Sequence, residues 1–208
     1  MIVSKILGVL FMALLAGVLV LGIGGCHAYN GLVASRQQVD SQWAQVETTY
    51  QRRADLIPNL VSTVSANAQF ERDTLKAVTD ARASVGQLRM PAGQSPESAE
   101  SIRQFQTAQD SLGSALSRLL VVAERYPDLK ATQSFRDLQV QLEGTENRIT
   151  VERQRFNEAV QLYNTRVQRF PNVLLARAFN FQTKPYFTSS PGASEAPKVQ
   201  FNLNSPAQ

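Results

Sequence analysis

Two clusters of charged residues are the part of this sequence whose types and spacing could support chemistry or recognition. The first reads Arg-Arg-x-Asp at residues 52–55 and the second reads Glu-x-x-Glu-Asn-Arg at residues 143–148. Both fall in segments with the apolar spacing of helices, so they can meet if those helices pack side by side. The candidate site residues are Arg52, Arg53, Asp55, Pro58, Asn59, Glu146, Asn147 and Arg148.

Two interpretations of these clusters stay open. In one, the first cluster forms a buried or half-buried ion network with Glu146 or Arg148 that fixes the register between two helices. Substitutions of Asp55 and Arg148 are then expected to be non-additive. In the other, the irregular backbone at Pro58 and its neighbouring charges form a docking or ligand site. Hydrogen bonds between helices are expected from the asparagines Asn59, Asn147, Asn157 and Asn164.

The residues that most enzyme classes require are missing from the sequence. The single histidine, His27, excludes H-E-x-x-H zinc sites and paired Glu-x-x-His di-iron sites, and it lies beside the apolar N-terminal segment. Neither a Gly-rich phosphate loop nor a G-x-S-x-G elbow occurs. We therefore expect no enzymatic activity, no catalytic residue, no metal and no cofactor.

The charge distribution argues against nucleic-acid binding. The formal net charge is +4, and acidic residues alternate with basic ones, as in Glu71-Arg72-Asp73. This mixture is typical of solvated helix faces, whereas nucleic-acid binding needs a basic stripe or a known module.

The N-terminal segment predicts a membrane anchor. Residues 6–25 contain no charged side chain, and about twenty such residues cross a bilayer. Lys5 precedes this run and the next basic side chain after it, His27 aside, is Arg36, so the positive-inside rule keeps the N-terminus in the cytoplasm. The sequence thus predicts that residues 1–28 anchor the chain in the cytoplasmic membrane, with the remaining domain on the periplasmic side.

Cys26 supports a competing interpretation of the same segment. Residues 23–26 read I-G-G-C and resemble a bacterial lipoprotein cleavage box, in which the signal peptide ends at residue 25 and Cys26 carries the lipid. The apolar run exceeds the usual signal-peptide core of about 7 to 15 residues, which favours the uncleaved anchor. A lone cysteine forms no intramolecular disulfide, so the domain depends on helix packing.

The apolar spacing beyond the anchor predicts helices only. Steps of three and four predict one long helix over residues 29–88 with a kink at Pro58, and a Pro- and Gly-containing loop over 89–97. Ser98 is expected to cap a second helix that runs to about Arg125, with a turn at residues 126–128. Its inward-facing side chains are Ile102, Phe105, Leu112, Leu116, Leu119 and Val122.

A seven-residue repeat predicts a third long helix with coiled-coil-like packing. Its main row is Phe135, Leu142, Ile149, Phe156, Tyr163 and Phe170, and its second row is Leu138, Thr145 and Ala159. Pro171 is expected to end this helix and to open a short one through Ala178.

Four aromatic residues follow the short helix, namely Phe179, Phe181, Tyr186 and Phe187. They either cover an open end of the bundle or stay exposed as a contact for a partner or a membrane surface. Residues 188–208, rich in Ser, Pro, Ala and Asn, are expected to be disordered. The folded domain is therefore predicted over residues 29–187.

Several motifs together resemble the LemA family of bacterial membrane-associated helical proteins. They are Y-Q-R-R-A-D-L-I-P-N-L-V at residues 50–61, E-R-D-T-L-K-A-V-T-D-A-R-A at 71–83, L-S-R-L-L-V-V-A-E-R-Y-P-D-L at 116–129, L-E-G-T-E-N-R-I-T-V-E-R-Q-R at 142–155, Y-N-T-R-V-Q-R-F-P at 163–171 and K-P-Y-F at 184–187. The resemblance implies membrane attachment and an antiparallel helical bundle with a long first helix. Combined with the periodicity, it predicts an all-α, up-and-down bundle of three long helices and a short C-terminal helix.

These observations predict a non-enzymatic, membrane-anchored scaffold or protein-interaction module of the cell envelope. Its expected partners are the membrane and proteins that the sequence does not identify, and the oligomeric state stays open. The alternatives are an extracytoplasmic sensor or ligand-binding protein, and an adaptor to a membrane protease or quality-control system.

Overall fold

The computed structural model describes residues 2–66, 70–88 and 93–188, and the regular secondary structure in these ranges is helical, with no strand. The predicted all-α class is confirmed. Residues 189–208 of the expected disordered tail lie outside the described residues. The helices of the described ranges are α1 Ile2–Ser65, α2 Arg72–Gln87, α3 Ala99–Ala123, α4 Pro127–Ala131, α5 Gln133–Gln168 and α6 Asn172–Ala178.

The single helix predicted over residues 29–88 is wrong, because α1 ends at Ser65 and α2 begins at Arg72. The reversal has a physical reason in the apolar residues that follow it. Phe70 and Val78 are both buried, and the Phe70 ring lies 5.1 Å from that of Tyr126. A continuous helix would carry these side chains past the bundle into solvent, whereas the reversal lets α2 pack against α3 and α1.

Contacts between helices define their directions. Arg166 bonds to Gly31 and Arg53 bonds to Glu146, so α1 and α5 run antiparallel. Arg82 near the end of α2 reaches back to Ala54, so α2 runs antiparallel to α1. The start of α2 meets the end of α3 through a Glu71–Arg125 ion pair, which makes those two helices antiparallel as well. The main body thus contains four helices, α1, α2, α3 and α5, rather than three.

The predicted start and buried face of α3 are confirmed. Ser98 is its N-cap and its hydroxyl accepts a hydrogen bond from the backbone N–H of Ser101, 3.1 Å away. All six predicted inward-facing side chains are buried. The helix ends at Ala123, and residues 127–131 form the short α4 with Pro127 at its first position, where proline loses no helical hydrogen bond.

The seven-residue repeat of α5 holds for five of its six predicted positions, and the second row is buried as well. Phe170 is the exception, with 75% of its surface exposed. The reason is that α5 ends at Gln168 and Arg169 has extended backbone, so the helical phase no longer applies at residue 170. Pro171 is the N-cap of α6, so the short helix opens at this proline as predicted, whereas the long helix already ends at Gln168.

The chain after α6 forms a strap, residues 179–188, along α5. The Asn157 side chain donates to the Phe187 carbonyl and accepts from its N–H, at 3.0 and 2.9 Å. Asn164 clamps the backbone of Lys184 in the same way, at 2.9 and 2.8 Å. These two asparagines therefore hold the strap, and the expectation that they bond between helices is wrong.

The strap divides its aromatic side chains between the core and the surface. Phe181 and Phe187 are buried, whereas Phe179 and Tyr186 are exposed. Phe187 stacks on the Trp43 ring with centroids 5.9 Å apart. The strap thus closes the core and also leaves part of its apolar surface uncovered.

The N-terminal part of α1 extends beyond the bundle. Its described apolar side chains, from Phe11 to Ile23, are exposed. Among the described residues, α1 is the one helix long and apolar enough to cross a membrane. This feature fits a membrane location.

Candidate functional site

The most connected charged side chain of the domain is Arg53, which is only 3% exposed. Its Nη1 donates to Glu146 Oε1 on α5 at 2.6 Å. Its Nη2 donates to both the side-chain and backbone oxygens of Gln109 on α3, at 2.5 and 3.1 Å. The guanidinium also lies 5.1 Å from the ring centre of Tyr50, within cation–π range. One arginine therefore links three helices.

Arg53, Gln109 and Glu146, here called the polar layer, separate two apolar clusters. One cluster surrounds Trp43 and the other surrounds Leu112. On each helix the polar residue falls between members of the two clusters: Arg53 between Tyr50 and Ile57, Gln109 between Phe105 and Leu112, and Glu146 between Leu142 and Ile149. A slip of one helix by a turn would place the guanidinium among apolar side chains without its partners, which is costly.

The exposed members of the first charged cluster, Arg52 and Asp55, do not take part in the polar layer. Asp55 accepts a 2.8 Å hydrogen bond from Gln51 on the same helix, and Arg52 makes no hydrogen bond or ion pair within the described residues. Arg52, Asp55 and Asn59 recur at steps of three and four and so share one face of α1. Together with Gln141 on α5 they line an open groove of about 780 Å³.

The second cluster contributes only Glu146 to the polar layer. Arg148 Nε donates to Glu152 at 3.1 Å, and Arg155 donates to the same carboxylate at 3.1 Å. Glu152 is buried, so it draws both arginines onto the α5 surface. The expected pairing of Asp55 with Arg148 is therefore wrong, and Asn147 is exposed.

Pro58 lies inside α1 without ending it. Proline has no N–H, so the carbonyl four residues earlier, that of Ala54, lacks its helical donor. Arg82 Nε on α2 donates to this carbonyl at 3.0 Å. The backbone defect that Pro58 creates is thus the point at which α2 attaches to α1.

A second pocket of about 320 Å³ lies where α1, α2 and α3 meet. Tyr50 and Phe105 form part of its wall, with ring centres 5.0 Å apart, and Glu47 lies on its rim. Burial raises the pKa of the Glu47 carboxyl and of the Tyr50 phenol. Within the described residues, no three His, Cys, Asp or Glu side chains are placed to hold a metal ion.

Sequence reasoning missed three residues that complete the site. Gln109 interrupts the apolar stripe of α3 between Phe105 and Leu112, which is a signal for a buried polar contact. Glu152 falls seven residues after Thr145, on the second row of the repeat. Arg82 carries no such signal, because its role depends on the reversal between α1 and α2.

Cys26, the predicted lipidation site, is an exposed free thiol on α1. Its lipidation stays a prediction. It lies with Ile23 and His27 along a shallow, mostly apolar groove that spans the C-terminal end of the apolar segment.

The fold and the site together define a helical bundle in which one segment of α1, residues 52–59, supplies side chains both to the surface groove and to the polar layer. Comparison of sequences identifies its family: residues 42–201 match the LemA family. This match covers more than half of the chain, so the chain belongs to the LemA family, as its motifs indicated.

Proteins named as magnetosome proteins are among its relatives. Magnetosome protein MamQ of Magnetospirillum gryphiswaldense is 24% identical over 190 residues, an alignment that covers 82% of this chain and 68% of the relative. Magnetosome proteins MamQ 1 and MamQ 2 of Paramagnetospirillum magneticum have the same identity and coverage.

Proposed function

We propose that this LemA-family protein is a non-enzymatic scaffold of the cell envelope, held in the cytoplasmic membrane by α1 and exposing its bundle on the outer side. Proteins dock in the groove lined by Arg52, Asp55 and Asn59. The apolar part of α1, with its exposed side chains, supports the anchor, and the position of Lys5 before it supports the orientation.

The observation that carries the docking role is that neighbouring charged residues at positions 52–55 of α1 face different surroundings. Arg53 is used in the polar layer, whereas its close neighbours Arg52 and Asp55 are exposed and make no hydrogen bond or ion pair with another helix among the described residues. Charged residues that no packing requirement explains are candidates for recognition. An arginine and a carboxylate side by side suit a partner segment that carries both charges.

The groove suits a protein better than a small solute. Small-molecule sites usually enclose most of their ligand, whereas this groove is open along its length. The magnetosome relatives share the family but add no partner for this chain.

A solute-binding function is the second candidate, and the pocket beside Glu47 favours it. This pocket is smaller and has two aromatic walls, from Tyr50 and Phe105, which can contact a small apolar group. Thermal unfolding of the purified protein against a set of small solutes tests it. A melting temperature that rises with solute concentration, and no longer rises after Phe105→Leu, supports a sensor.

Proximity labelling in living cells tests the scaffold. A labelling enzyme fused after Gln208 should mark a reproducible set of envelope proteins, and Arg52→Ala combined with Asp55→Ala should remove part of that set. Arg118→Ala is the matched control, because Arg118 is an exposed arginine on α3, away from the groove.

Stability measurements separate docking from folding. Both groove substitutions are on the surface, so unfolding free energy should stay within about 0.5 kcal/mol of the parent. Unchanged labelling with normal stability contradicts the docking role. A reporter that is active only outside the cytoplasm, fused at the same end, tests the orientation, and activity of a cytoplasmic reporter there contradicts it.

A further inference from the structure

The end of the bundle that adjoins the apolar part of α1 exposes large apolar side chains. Phe170, Leu174 and Phe179 are 75%, 59% and 58% exposed. They lie on the corner between α5 and α6 and at the start of the strap. A soluble surface rarely keeps such residues together unless something covers them.

Contacts to α1 place this corner next to the predicted membrane boundary. Arg166 Nη1 donates to the Gly31 carbonyl at 2.7 Å, and the Tyr29 and Phe179 rings are 5.0 Å apart. Since a helix rises 1.5 Å per residue, Tyr29 is only about 6 Å beyond Gly25, where the apolar run ends. Phe170 follows Arg166 by four residues and continues towards that boundary.

The exposed charged side chains beside these apolar residues, Arg169 and Arg177, are basic. Residues 159–187 contain Arg166, Arg169, Arg177 and Lys184 and no acidic residue, and residues 1–39 contain no acidic residue either. Glu97 is brought to this end by the preceding loop, where it pairs with Arg36 and Lys184. Arg169 and Arg177 are exposed and lie beside the apolar side chains.

We propose that this corner, called here the basal surface, sits in the headgroup layer of the bilayer that α1 crosses and binds anionic phospholipid. Phe170, Leu174 and Phe179 enter the boundary between headgroups and acyl chains. Arg169 and Arg177 donate hydrogen bonds to lipid phosphates. The bundle then lies against the membrane instead of turning freely about α1. This inference rests on the membrane anchor of the proposed function.

Spin labels on the full-length protein in lipid vesicles test the basal surface. In a Cys26→Ser background, Leu174→Cys carries the label, and its collision rates with oxygen and with a polar nickel complex report its depth. Val140→Cys is the matched control, because Val140 is 67% exposed on α5, about 40 Å from the end of that helix at Gln168. Val18→Cys, on the exposed face of the apolar segment, tests the anchor itself.

The expected result is a label at residue 174 that oxygen reaches more readily than nickel does, in vesicles containing phosphatidylglycerol, while the label at residue 140 behaves as in water. The double substitution Arg169→Gln and Arg177→Gln should make the accessibility of the label at residue 174 the same in vesicles with and without phosphatidylglycerol. Arg118→Gln should leave that difference in accessibility unchanged. A lipid-exposed label at residue 18 with a water-exposed one at residue 174 overturns the basal surface and leaves the anchor standing. A water-exposed label at residue 18 overturns both.

Discussion

Arg82 on α2 donates a hydrogen bond from Nε to the carbonyl oxygen of Ala54 on α1, at 3.0 Å. Ala54 is the residue whose helical donor is removed by Pro58. The proline therefore creates an acceptor in the middle of a long helix, and a second helix supplies the donor. This relationship couples the position of the proline to the place where α2 packs on α1, so Pro58 and Arg82 should respond to mutation together.

The first prediction concerns this coupling. Arg82→Ala should lower the free energy of unfolding by about 1 to 3 kcal/mol, because it leaves a helix carbonyl without a donor. In a Pro58→Ala background the backbone regains an N–H at position 58 that can bond to the Ala54 carbonyl, so Arg82→Ala should cost less there. Chemical denaturation of the four proteins measures this, and equal losses in both backgrounds would show that the contact has no role.

The second prediction concerns the polar layer. Glu146→Ala leaves the buried Arg53 with Gln109 as its remaining hydrogen-bond partner, and Arg53→Ala leaves Gln109 without its donor. A double-mutant cycle of Arg53 and Glu146 should give a coupling energy of about 0.5 to 3 kcal/mol, as contacting residues do.

The control for that cycle is the pair Asp55 and Arg148, whose contact was wrongly predicted from the sequence. Asp55 bonds to Gln51 and Arg148 bonds to Glu152, so Asp55→Ala and Arg148→Ala should add within about 0.5 kcal/mol. Coupling in this pair and additivity between Arg53 and Glu146 would together contradict the arrangement of the polar layer.

The features that could be predicted from the sequence are those that follow a regular apolar repeat. The buried faces of α3 and α5 follow repeats that end only where the helices end, so the burial predicted for Phe156 and Leu116 is confirmed. The prediction for Phe170 is wrong because the repeat continues numerically past the last helical residue. The break between α1 and α2 depends on long-range packing of Phe70 and Val78, which a local pattern cannot reveal.

The same limit applies to the site. Arg53 and Glu146 stand out in the sequence as members of two charged clusters that lie beside apolar positions with helical spacing. Choosing between the adjacent residues Arg52 and Arg53 requires the helical phase to be known to within one residue, and the sequence pattern does not give it that accurately. Arg82 reaches the site only because the chain reverses between α1 and α2. Charge clusters can therefore be located from sequence more reliably than their individual partners.

The third prediction tests the core around Trp43. Phe156 is fully buried and its ring lies 5.5 Å from those of both Trp43 and Phe187. Phe156→Ala should cost about 3 to 5 kcal/mol, because it removes apolar contacts and leaves a cavity. Leu162→Ala on the exposed face of the same helix should change stability by less than about 0.5 kcal/mol. Similar melting temperatures for the two variants in detergent would contradict the assigned buried face.

The fourth prediction is a pH dependence at the pocket beside Tyr50. Burial raises the pKa of the Glu47 carboxyl above its usual value of 4.5, so the folded state holds this proton more tightly than the unfolded chain does. Below pH 4.5 the carboxyl is protonated in both states, and as the pH rises through the raised pKa, ionisation of Glu47 increasingly favours unfolding.

Glu47→Gln removes this effect while keeping the shape of the side chain. The variant's free energy of unfolding, relative to the parent, should therefore be higher at about pH 7 than at about pH 4. Denaturant titrations of both proteins at the two pH values, in the same detergent and ionic strength, measure the difference. A relative stability that falls as the pH rises would mean that the ionised carboxylate is stabilised in the fold, which contradicts burial as the dominant influence on Glu47.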